Sequence, residues 1–301
     1  MNADTSPEAF ERYIAKVRSK GTAEKYGAGA TRLVEFCQLS DYLDWAEIPS
    51  NILSAFSEYL VSQGFSAATV ALNVYGGRKY LNWLLGQGIP IPNISKPDLP
   101  KITYKVKDLL PPDALSRYFE MADQLLNEPY RTAVMLMPCS GLRIDEMASL
   151  PLTAIKKEQV VLEDGEVKNT LVLKVAGKGG DERIVPLFDE GVKILTGYLA
   201  GWRKNCAGPW VFPCNVKGKK HANVRCLRDA LVKLRPSLGL EFTPHTMRRT
   251  YLVTLWRRGV SEAVLAKIAG HKSVQTLFKH YLALDSHDLI KAVHGANGRH
   301  G

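Results

Sequence analysis

Apolar residues in the first 88 positions recur at helical spacing and show no strand-like alternation. Phe10, Tyr13, Ile14 and Val17 follow the i, i+3, i+4, i+7 rule, which places them on one face of a helix. The same pattern predicts three more helices: residues 22–37 with a cap at Thr22, residues 52–60, and residues 66–86 with a cap at Ser66. Four helices with short connections predict a helical domain over residues 1–88.

A proline-rich stretch follows this helical region. Residues 89–100 read IPIPNISKPDLP, and their four prolines exclude a regular helix and favour an extended strap. We therefore predict a linker over residues 89–107 and a second domain over residues 108–301. The balance between basic and acidic residues changes at the same place.

The second domain mixes helical and strand patterns. Short β-rich runs are separated by turn-forming glycines and predict a three-stranded antiparallel meander with strands at 160–162, 171–175 and 183–185. Helical patterns surround it, starting at Pro112 and Pro129 and covering residues 189–204, 221–235, 244–258 and 261–270. Thr243 and Pro244 form an N-cap followed by a proline in the first turn. The predicted fold class is mainly α with a small antiparallel β-meander.

Charge is concentrated in the second domain. The chain has a net charge of +10; residues 1–92 carry 8 Lys/Arg and 9 Asp/Glu, whereas residues 93–301 carry 32 and 21. Such a surplus attracts polyanions through Coulomb forces and counterion release. Charge alone does not separate a nucleic-acid-binding protein from a basic protein that binds no anion.

Several features predict a cytoplasmic protein. The five cysteines are odd in number and scattered, which favours a reducing compartment. The N-terminus has no basic and apolar signal segment, and no apolar run approaches the roughly 20 residues that span a bilayer. We expect no contact with a membrane.

Residues suited to binding an anion occur at two places. His245 and Arg248 share one face at the start of a predicted helix, where free backbone N–H groups favour negative charge. They also admit a plainer interpretation as a helix cap and a surface arginine. Arg143 follows a glycine break, and its guanidinium fork matches two phosphate oxygens. Glu146, one turn later, would hold Arg143 or a histidine in place, or form an ordinary helix salt bridge.

Lys178 and Tyr281 add a proton donor and a nucleophile. Lys178 lies in a Gly-Lys-Gly-Gly turn between two predicted strands, where glycines allow its ammonium group to reach a groove, although such a lysine is often only solubilising. A lysine near other cations has a lowered pKa, which suits a general acid. Tyr281 needs nearby cations, because phenols have a pKa of about 10. Cations around a tyrosine hydroxyl suit attack on a phosphodiester without a metal ion.

The ordered set Gly-Leu-Arg143, Gly-Lys178-Gly, His245-x-x-Arg248, Gly-His271 and Tyr281 resembles the tyrosine recombinase (phage integrase) family. The resemblance covers the whole chain. Residues 1–88 are similar to the family's core-binding domain, and the later residues are similar to its α+β catalytic domain. The family cuts and rejoins DNA at specific sites.

The resemblance implies a role for each residue of the set. Arg143, His245, Arg248 and His271 would grip the scissile phosphate. Lys178 would protonate the departing 5′ oxygen, and Tyr281 would form a 3′-phosphotyrosyl link. Religation would need neither ATP nor metal, so no cofactor is expected. The family assembles as a homo-tetramer on double-stranded DNA, and its C-terminal tail docks onto a neighbouring subunit; residues 286–293 would be that tail.

One spacing departs from the family. The tyrosine usually stands nine residues after the second histidine, whereas His271 and Tyr281 are ten apart and His280 holds the ninth place. We assign the nucleophile to Tyr281, because the preceding tyrosine, Tyr251, lies on the helix of Arg248, where we expect it to be buried. This departure favours a mobile-element enzyme over a housekeeping dimer resolvase.

Other candidates are less specific. Arg78, Lys79 and Lys25 of the helical domain would contact DNA phosphates or lie on an ordinary solvated surface. The spacing of the cysteines after residue 205 and of His221 fits no familiar zinc finger, so we expect no metal site.

Two further functions remain open. One is a type IB topoisomerase, which shares the cationic set and the tyrosine. The other is a non-cleaving DNA-binding accessory protein, for which the ten-residue spacing is the only argument.

Overall fold

The structure, a computed structural model, describes residues 4–42, 44–102, 109–161, 165–177 and 182–270. The chain divides into two compact units, Met1–Lys105 and Val106–Gly301. Lys178, His271 and Tyr281 lie outside the described residues. Among the helices that are described, none combines the length and the apolar character needed to cross a bilayer.

The described part of the first unit contains four helices, as predicted. They are α1 (Pro7–Val17), α2 (Lys20–Leu39), α3 (Ile52–Ser62) and α4 (Ala67–Gly86). The predicted cap at Ser66 is confirmed, since its side chain accepts a hydrogen bond from the Thr69 N–H. The predicted cap at Thr22 is wrong. Helix α2 begins two residues earlier, behind Ser19, and the Thr22 hydroxyl lies 2.9 Å from that of Ser19.

The apolar stripe of α1 is narrower than predicted. Phe10 and Ile14 are buried, whereas Tyr13 is 47% exposed and Val17 is 65% exposed. Tyr13 reaches only the edge of the core, where its ring centroid lies 6.2 Å from that of Trp83. Helical spacing therefore identified the correct face of α1 but overestimated how much of that face is covered.

Close packing of α2 against α4 depends on glycine. A Cβ built on Gly29 would lie 2.7 Å from the carbonyl oxygen of Asn73, and one built on Gly76 would lie 3.0 Å from that of Tyr26. Both contacts are with backbone, which cannot move aside as a flexible side chain can. Larger residues at these positions would therefore separate the two helices.

The proline-rich stretch is extended, and it is attached to the first unit. The Ser95 N–H donates to the carbonyl oxygen of Ser50 at 2.8 Å, and the Asp98 N–H donates to the Ser54 hydroxyl at 3.0 Å. The isoleucines of the stretch pack against the core of this unit; they are Ile89, Ile91 and Ile94. The strap is thus held by α3 and by the turn that precedes it.

The second unit surrounds one large apolar core. Its described helices are α5 (Pro112–Leu125), α6 (Tyr130–Ser140), α7 (Ile144–Ala148), α8 (Asp189–Ala200), α9 (Val224–Leu238), α10 (Pro244–Arg257) and α11 (Glu262–Ala269). The predicted helix starts at Pro112 and Thr243-Pro244 are confirmed, and Gly270 ends α11 as predicted.

In the second unit, the boundaries of α8 and α9 differ from the predicted ones. Helix α8 ends at Ala200, and a short 3₁₀ turn, Trp202–Asn205, follows it. Helix α9 begins later than residue 221, because the Asn223 side chain caps it by accepting from the Arg225 N–H at 2.8 Å. It also continues through Pro236 and ends at Gly239, which adopts the left-handed conformation.

The predicted antiparallel meander is confirmed, with strand order β1-β2-β3. The strands are β1 (Ile155–Val161), β2 (Val167–Ala176) and β3 (Glu182–Pro186). Strand β1 begins before the predicted run at 160, because its pairing with β2 extends back to Ile155. Residues 156–159 are polar and exposed, so their sequence carries no apolar alternation.

Candidate active site

The turn between α6 and α7 sets the position of Arg143. Helix α6 ends at Gly141, which has a φ of 60° in the left-handed region that favours glycine. A Cβ at this position would also lie 2.4 Å from Cδ1 of Tyr251. Tyr251 is buried, as predicted, and its hydroxyl donates to the carbonyl oxygen of Pro186 at 2.6 Å. The turn is therefore wedged against a fixed aromatic ring.

Glu146 holds Arg143 through two hydrogen bonds. Its Oε1 accepts from Nη1 of Arg143 at 2.8 Å, and its Oε2 accepts from the Arg143 backbone N–H at 2.8 Å. Burial raises the pKa of Glu146, but hydrogen bonds from Arg183 and Arg143 outweigh it, so the pKa is lowered overall. Glu146 therefore remains a carboxylate at neutral pH. It both positions Arg143 and forms the helix salt bridge that the sequence left open.

Helix α10 carries His245 and Arg248 one turn apart. The Thr243 side chain caps the helix by accepting from the Thr246 N–H at 3.2 Å. His245 is exposed, whereas Arg248 is only 1% exposed. The plainer interpretation of a histidine cap and a surface arginine is therefore wrong, because Thr243 is the cap and Arg248 is buried.

Arg248 ties the Gly141 turn to the end of α11. Its Nη1 donates to the carbonyl oxygen of Gly141 at 2.6 Å. Its Nη2 donates to the carbonyl oxygen of Ala269, the last residue of α11. Charge-assisted hydrogen bonds of this kind are stronger than neutral ones, so they fix the guanidinium in place.

Three arginines converge on the C-terminal end of α11. The Ala269 carbonyl accepts from Arg248 and, at 3.4 Å, from Nη2 of Arg143. The Ile268 carbonyl accepts from Nε of Arg183 at 2.9 Å. The last carbonyls of a helix carry partial negative charge and suit cationic partners. Gly270 then turns the chain with a φ of 62°.

Arg143, His245 and Arg248 line one cleft of about 540 Å³. Arg228 and Arg235 of α9 line it too, and among its described lining residues Asp145 is the one acid. Sequence reasoning missed both α9 arginines. Their spacing of seven residues, which is two turns of one helix, was the available signal. An excess of guanidinium groups over carboxylates makes this cleft suitable for an anion such as a phosphate.

Arg183 is a further residue that sequence reasoning missed. Its Nη2 donates to Oε2 of Glu146 at 2.6 Å, and its side chain is 8% exposed. In β3 it shares the inward face with Val185, because alternate residues of a strand point to the same side. A charged residue at an inward-facing position was the signal in the sequence.

The remaining predicted site residues are placed as follows. Lys178, His271 and Tyr281 lie outside the described residues. Lys25, Arg78 and Lys79 are exposed on α2 and α4 of the first unit. The ammonium group of Lys79 lies 5.6 Å from the ring centroid of Tyr75, which in turn lies 5.5 Å from that of Tyr26.

The cysteines are free thiols. Within the described ranges, His, Cys, Asp and Glu form no group of three or more that would hold a metal ion. Burial raises the pKa of the Cys37 thiol to about 11 and that of Cys139 to about 12. These two thiols are therefore protonated at neutral pH and are poor nucleophiles.

The chain is similar to known proteins along most of its length. The model of the phage integrase family matches residues 109–287, more than half of the chain. A tyrosine recombinase XerC of Roseiflexus sp. (strain RS-1) is 24% identical over 287 residues, covering 89% of this chain and 86% of its own length. A tyrosine recombinase of Thermosipho africanus (strain TCF52B) is 24% identical, covering 94% of this chain and 98% of its own length.

Solved structures show the same fold. A XerH site-specific recombinase bound to palindromic difH substrate, in a post-cleavage complex, has a TM-score of 0.72 at 18% identity, covering 96% of this chain and 84% of its own. A lambda integrase dimer bound to a COC′ core site has a TM-score of 0.68 at 16% identity, covering 91% and 93%. The chain therefore belongs to the phage integrase family and is an enzyme of the tyrosine recombinase class.

Proposed function

We propose that this protein is a site-specific DNA recombinase that cuts and rejoins DNA through a 3′-phosphotyrosyl intermediate at Tyr281. The observation that carries the proposal is the meeting of Arg143 and Arg248 at the Ala269 carbonyl. These arginines come from separate elements, and they share their cleft with His245. His271 follows this helix end by two positions.

The cleft chemistry suits the transition state of phosphoryl transfer. Attack on a phosphodiester creates a pentavalent phosphorus with additional negative charge on its oxygens. Guanidinium forks donate paired hydrogen bonds to such oxygens, and they carry a fixed charge. Removing one such donor typically slows catalysis by about 10²–10³-fold. We assign this role to Arg143, His245, Arg248 and His271.

The proposed reaction balances without an external energy source. The Tyr281 hydroxyl releases its proton to solvent water as its oxygen forms a bond to phosphorus, and water later returns a proton to the lysine that protonates the leaving group. The bond from phosphorus to the 5′ oxygen breaks, and that oxygen takes a proton from Lys178. The phosphodiester is thereby exchanged for a phosphotyrosyl ester, and attack by a 5′ hydroxyl reverses the exchange. No ATP and no metal ion enters the balance.

The DNA partner is supported by the charge distribution and by two relatives. The XerH and lambda integrase structures are complexes with their own DNA sites. We propose that Lys25, Arg78 and Lys79 of a core-binding domain over residues 1–88 contact DNA phosphates. Residues 89–107 would link this domain to a catalytic domain over 108–301, whose tail docks in trans within a homo-tetramer. We further propose a mobile-element role in the cytoplasm, where the five thiols stay reduced.

Two alternatives give different outcomes in solution. A type IB topoisomerase would relax supercoiled plasmid as a monomer and without site preference. An accessory DNA-binding protein would bind a duplex and never link to it covalently. Similarity to proteins named tyrosine recombinases supports cleavage over binding alone.

The test uses a nicked suicide duplex that carries a site selected by the wild-type protein from a random library. Wild-type protein should form a covalent complex that survives denaturing electrophoresis. Tyr281→Phe should bind the duplex and form no such complex. The matched control is Tyr198→Phe, which removes another buried hydroxyl of the second unit, bonded to Val211, and leaves the covalent reaction intact. Covalent complexes with Tyr281→Phe would refute the nucleophile assignment.

A further inference from the structure

Arg183 joins three segments that each border a candidate site residue. Its Nη2 donates to Glu146 at 2.6 Å, and Glu146 in turn binds Arg143 at the start of α7. Its Nε donates to the Ile268 carbonyl at 2.9 Å, at the end of α11. Its own strand, β3, begins four residues after Lys178. One guanidinium therefore couples the elements next to Arg143, His271 and Lys178.

The Arg183 side chain is tightly enclosed. It is 8% exposed, and a Cβ built on Gly270 would lie 3.1 Å from its Cδ and 3.4 Å from its Nη1. Its Nη1 is buried and has no hydrogen-bond partner among the residues the structure describes. Its other two nitrogens, Nε and Nη2, are both engaged by the end of α11 and by Glu146, so the guanidinium is held between these two elements.

We propose that Arg183 is a positioning residue for strand cleavage. It ties Glu146 to the end of α11, and Glu146 in turn holds Arg143 where Arg143 binds the phosphate. The proposal rests on the proposed function. Arg183 acts through these neighbours and does not itself touch the reacting atoms. Without it, Arg143 would keep its contact to Glu146 but lose the anchor that fixes Glu146 to α11.

The charge of Glu146 gives this role a measurable signature. Burial raises the pKa of Glu146, and the hydrogen bond from Arg183 is the leading cause that lowers it. Among the residues that the structure describes, the other charged groups near Glu146 are Arg143 and three that line an adjoining cavity of about 420 Å³: Lys156, Lys174 and Glu182. Loss of Arg183 should raise the pKa of Glu146, so that protonation of Glu146 releases Arg143 at a higher pH.

The first experiment compares Arg183→Gln and Arg183→Lys in single-turnover cleavage of the suicide duplex. Arg183→Gln should slow cleavage on the order of 100-fold, the size of loss that a misplacement of about 1 Å can cause. DNA affinity should stay close to wild type, and Arg183→Lys should be intermediate. The control is Arg131→Gln, which breaks the ion pairs of Arg131 with Asp123 and Glu128 in the same unit and should leave cleavage unchanged.

The pH profile separates positioning from simple stabilisation. The acid limb of the cleavage rate should move to higher pH in Arg183→Gln, and this shift should vanish when Glu146→Gln is also present. Superimposed profiles for wild type and Arg183→Gln would overturn the proposal. If Arg183→Gln does not fold, the same comparison is made with Arg183→Lys. The acid limb of its cleavage-rate profile should also move to higher pH.

The two proposals fail in distinguishable ways. A wild-type protein that forms no covalent adduct refutes the proposed function. Wild-type cleavage with an unchanged rate and profile in Arg183→Gln refutes the role of Arg183 alone. A loss of DNA binding equal to the loss of cleavage would likewise overturn positioning, because it would indicate a direct or merely structural role.

Discussion

Replacing Gly141 by alanine tests how the turn before Arg143 is built. The added Cβ would meet Cδ1 of Tyr251 at 2.4 Å, and the residue would be held at a φ of 60°. Tyr251 cannot move easily, because it is 1% exposed and its hydroxyl is bonded to Pro186. The matched control is Gly239→Ala. Gly239 also ends a helix, at a φ of 64°, but nothing lies within 4 Å of its added Cβ.

The two substitutions are expected to differ in the steric cost of the added Cβ, which is present at Gly141 and absent at Gly239. A left-handed conformation costs an L-residue roughly 1–2 kcal/mol, and the smaller entropy of unfolded alanine returns about 0.4–1 kcal/mol. Gly239→Ala should therefore lower the free energy of unfolding by about 1 kcal/mol. Overpacking adds about 1–3 kcal/mol, so Gly141→Ala should lower it by roughly 2–4 kcal/mol.

Urea unfolding followed by circular dichroism measures both values. The midpoint should fall further for Gly141→Ala than for Gly239→Ala, with unchanged slopes. Both changes lie in the second unit, so unfolding of the first unit is common to the comparison. Equal decreases in the free energy of unfolding for the two variants would refute the reasoning, because they would show that the Tyr251 ring moves aside at no cost in free energy.

Three further predictions concern single arginines and Glu146. Arg228→Gln should weaken DNA binding and reduce the slope of log affinity against log salt concentration by about 0.9, because Arg228 lines the cationic cleft. Fluorescence anisotropy at several salt concentrations measures this slope. An unchanged slope would exclude a phosphate contact of Arg228. Arg203→Met should lower the free energy of unfolding by roughly 3 kcal/mol or more, because the buried guanidinium donates to three backbone carbonyls. A decrease in the free energy of unfolding of less than about 1 kcal/mol, measured with urea, would contradict this prediction. Glu146→Gln should be less stable than wild type at neutral pH, and this difference should disappear as the pH falls. The pKa of Glu146 is lower in the folded protein than in the unfolded chain. The carboxylate therefore stabilises the fold above the unfolded pKa, and this stabilisation is lost as the pH falls through the folded pKa. Urea unfolding at several pH values measures this difference, and a constant difference between neutral pH and acid would refute the prediction.

Local signals in the sequence predicted much of the fold. Thr243 followed by Pro244 marks a helix start by capping chemistry alone, and Ser66 does the same for α4. The cap at Thr22 was wrong because Ser19 offers a similar hydroxyl three residues earlier. Where two capping residues stand close together, spacing does not choose between them.

The site could be predicted only in part, for a physical reason. Arg143, His245 and Arg248 stand in recognisable local patterns, and the structure places them on one cleft. Arg183 and Arg235 carry only weaker signals, which are an inward-facing strand position and a seven-residue helical spacing. Their positions depend on partners brought close by tertiary packing, such as Glu146 for Arg183. One amino-acid sequence does not reveal which distant residues are paired in this way.

The most direct test of the central claim is mass spectrometry of the wild-type protein trapped on its suicide duplex. Trypsin should release residues 280–291, HYLALDSHDLIK, with a nucleotide attached to Tyr281. That adduct would establish the nucleophile and show that the ten-residue spacing from His271 supports cleavage. An adduct on another residue, or none on a duplex that the protein binds, would contradict the account.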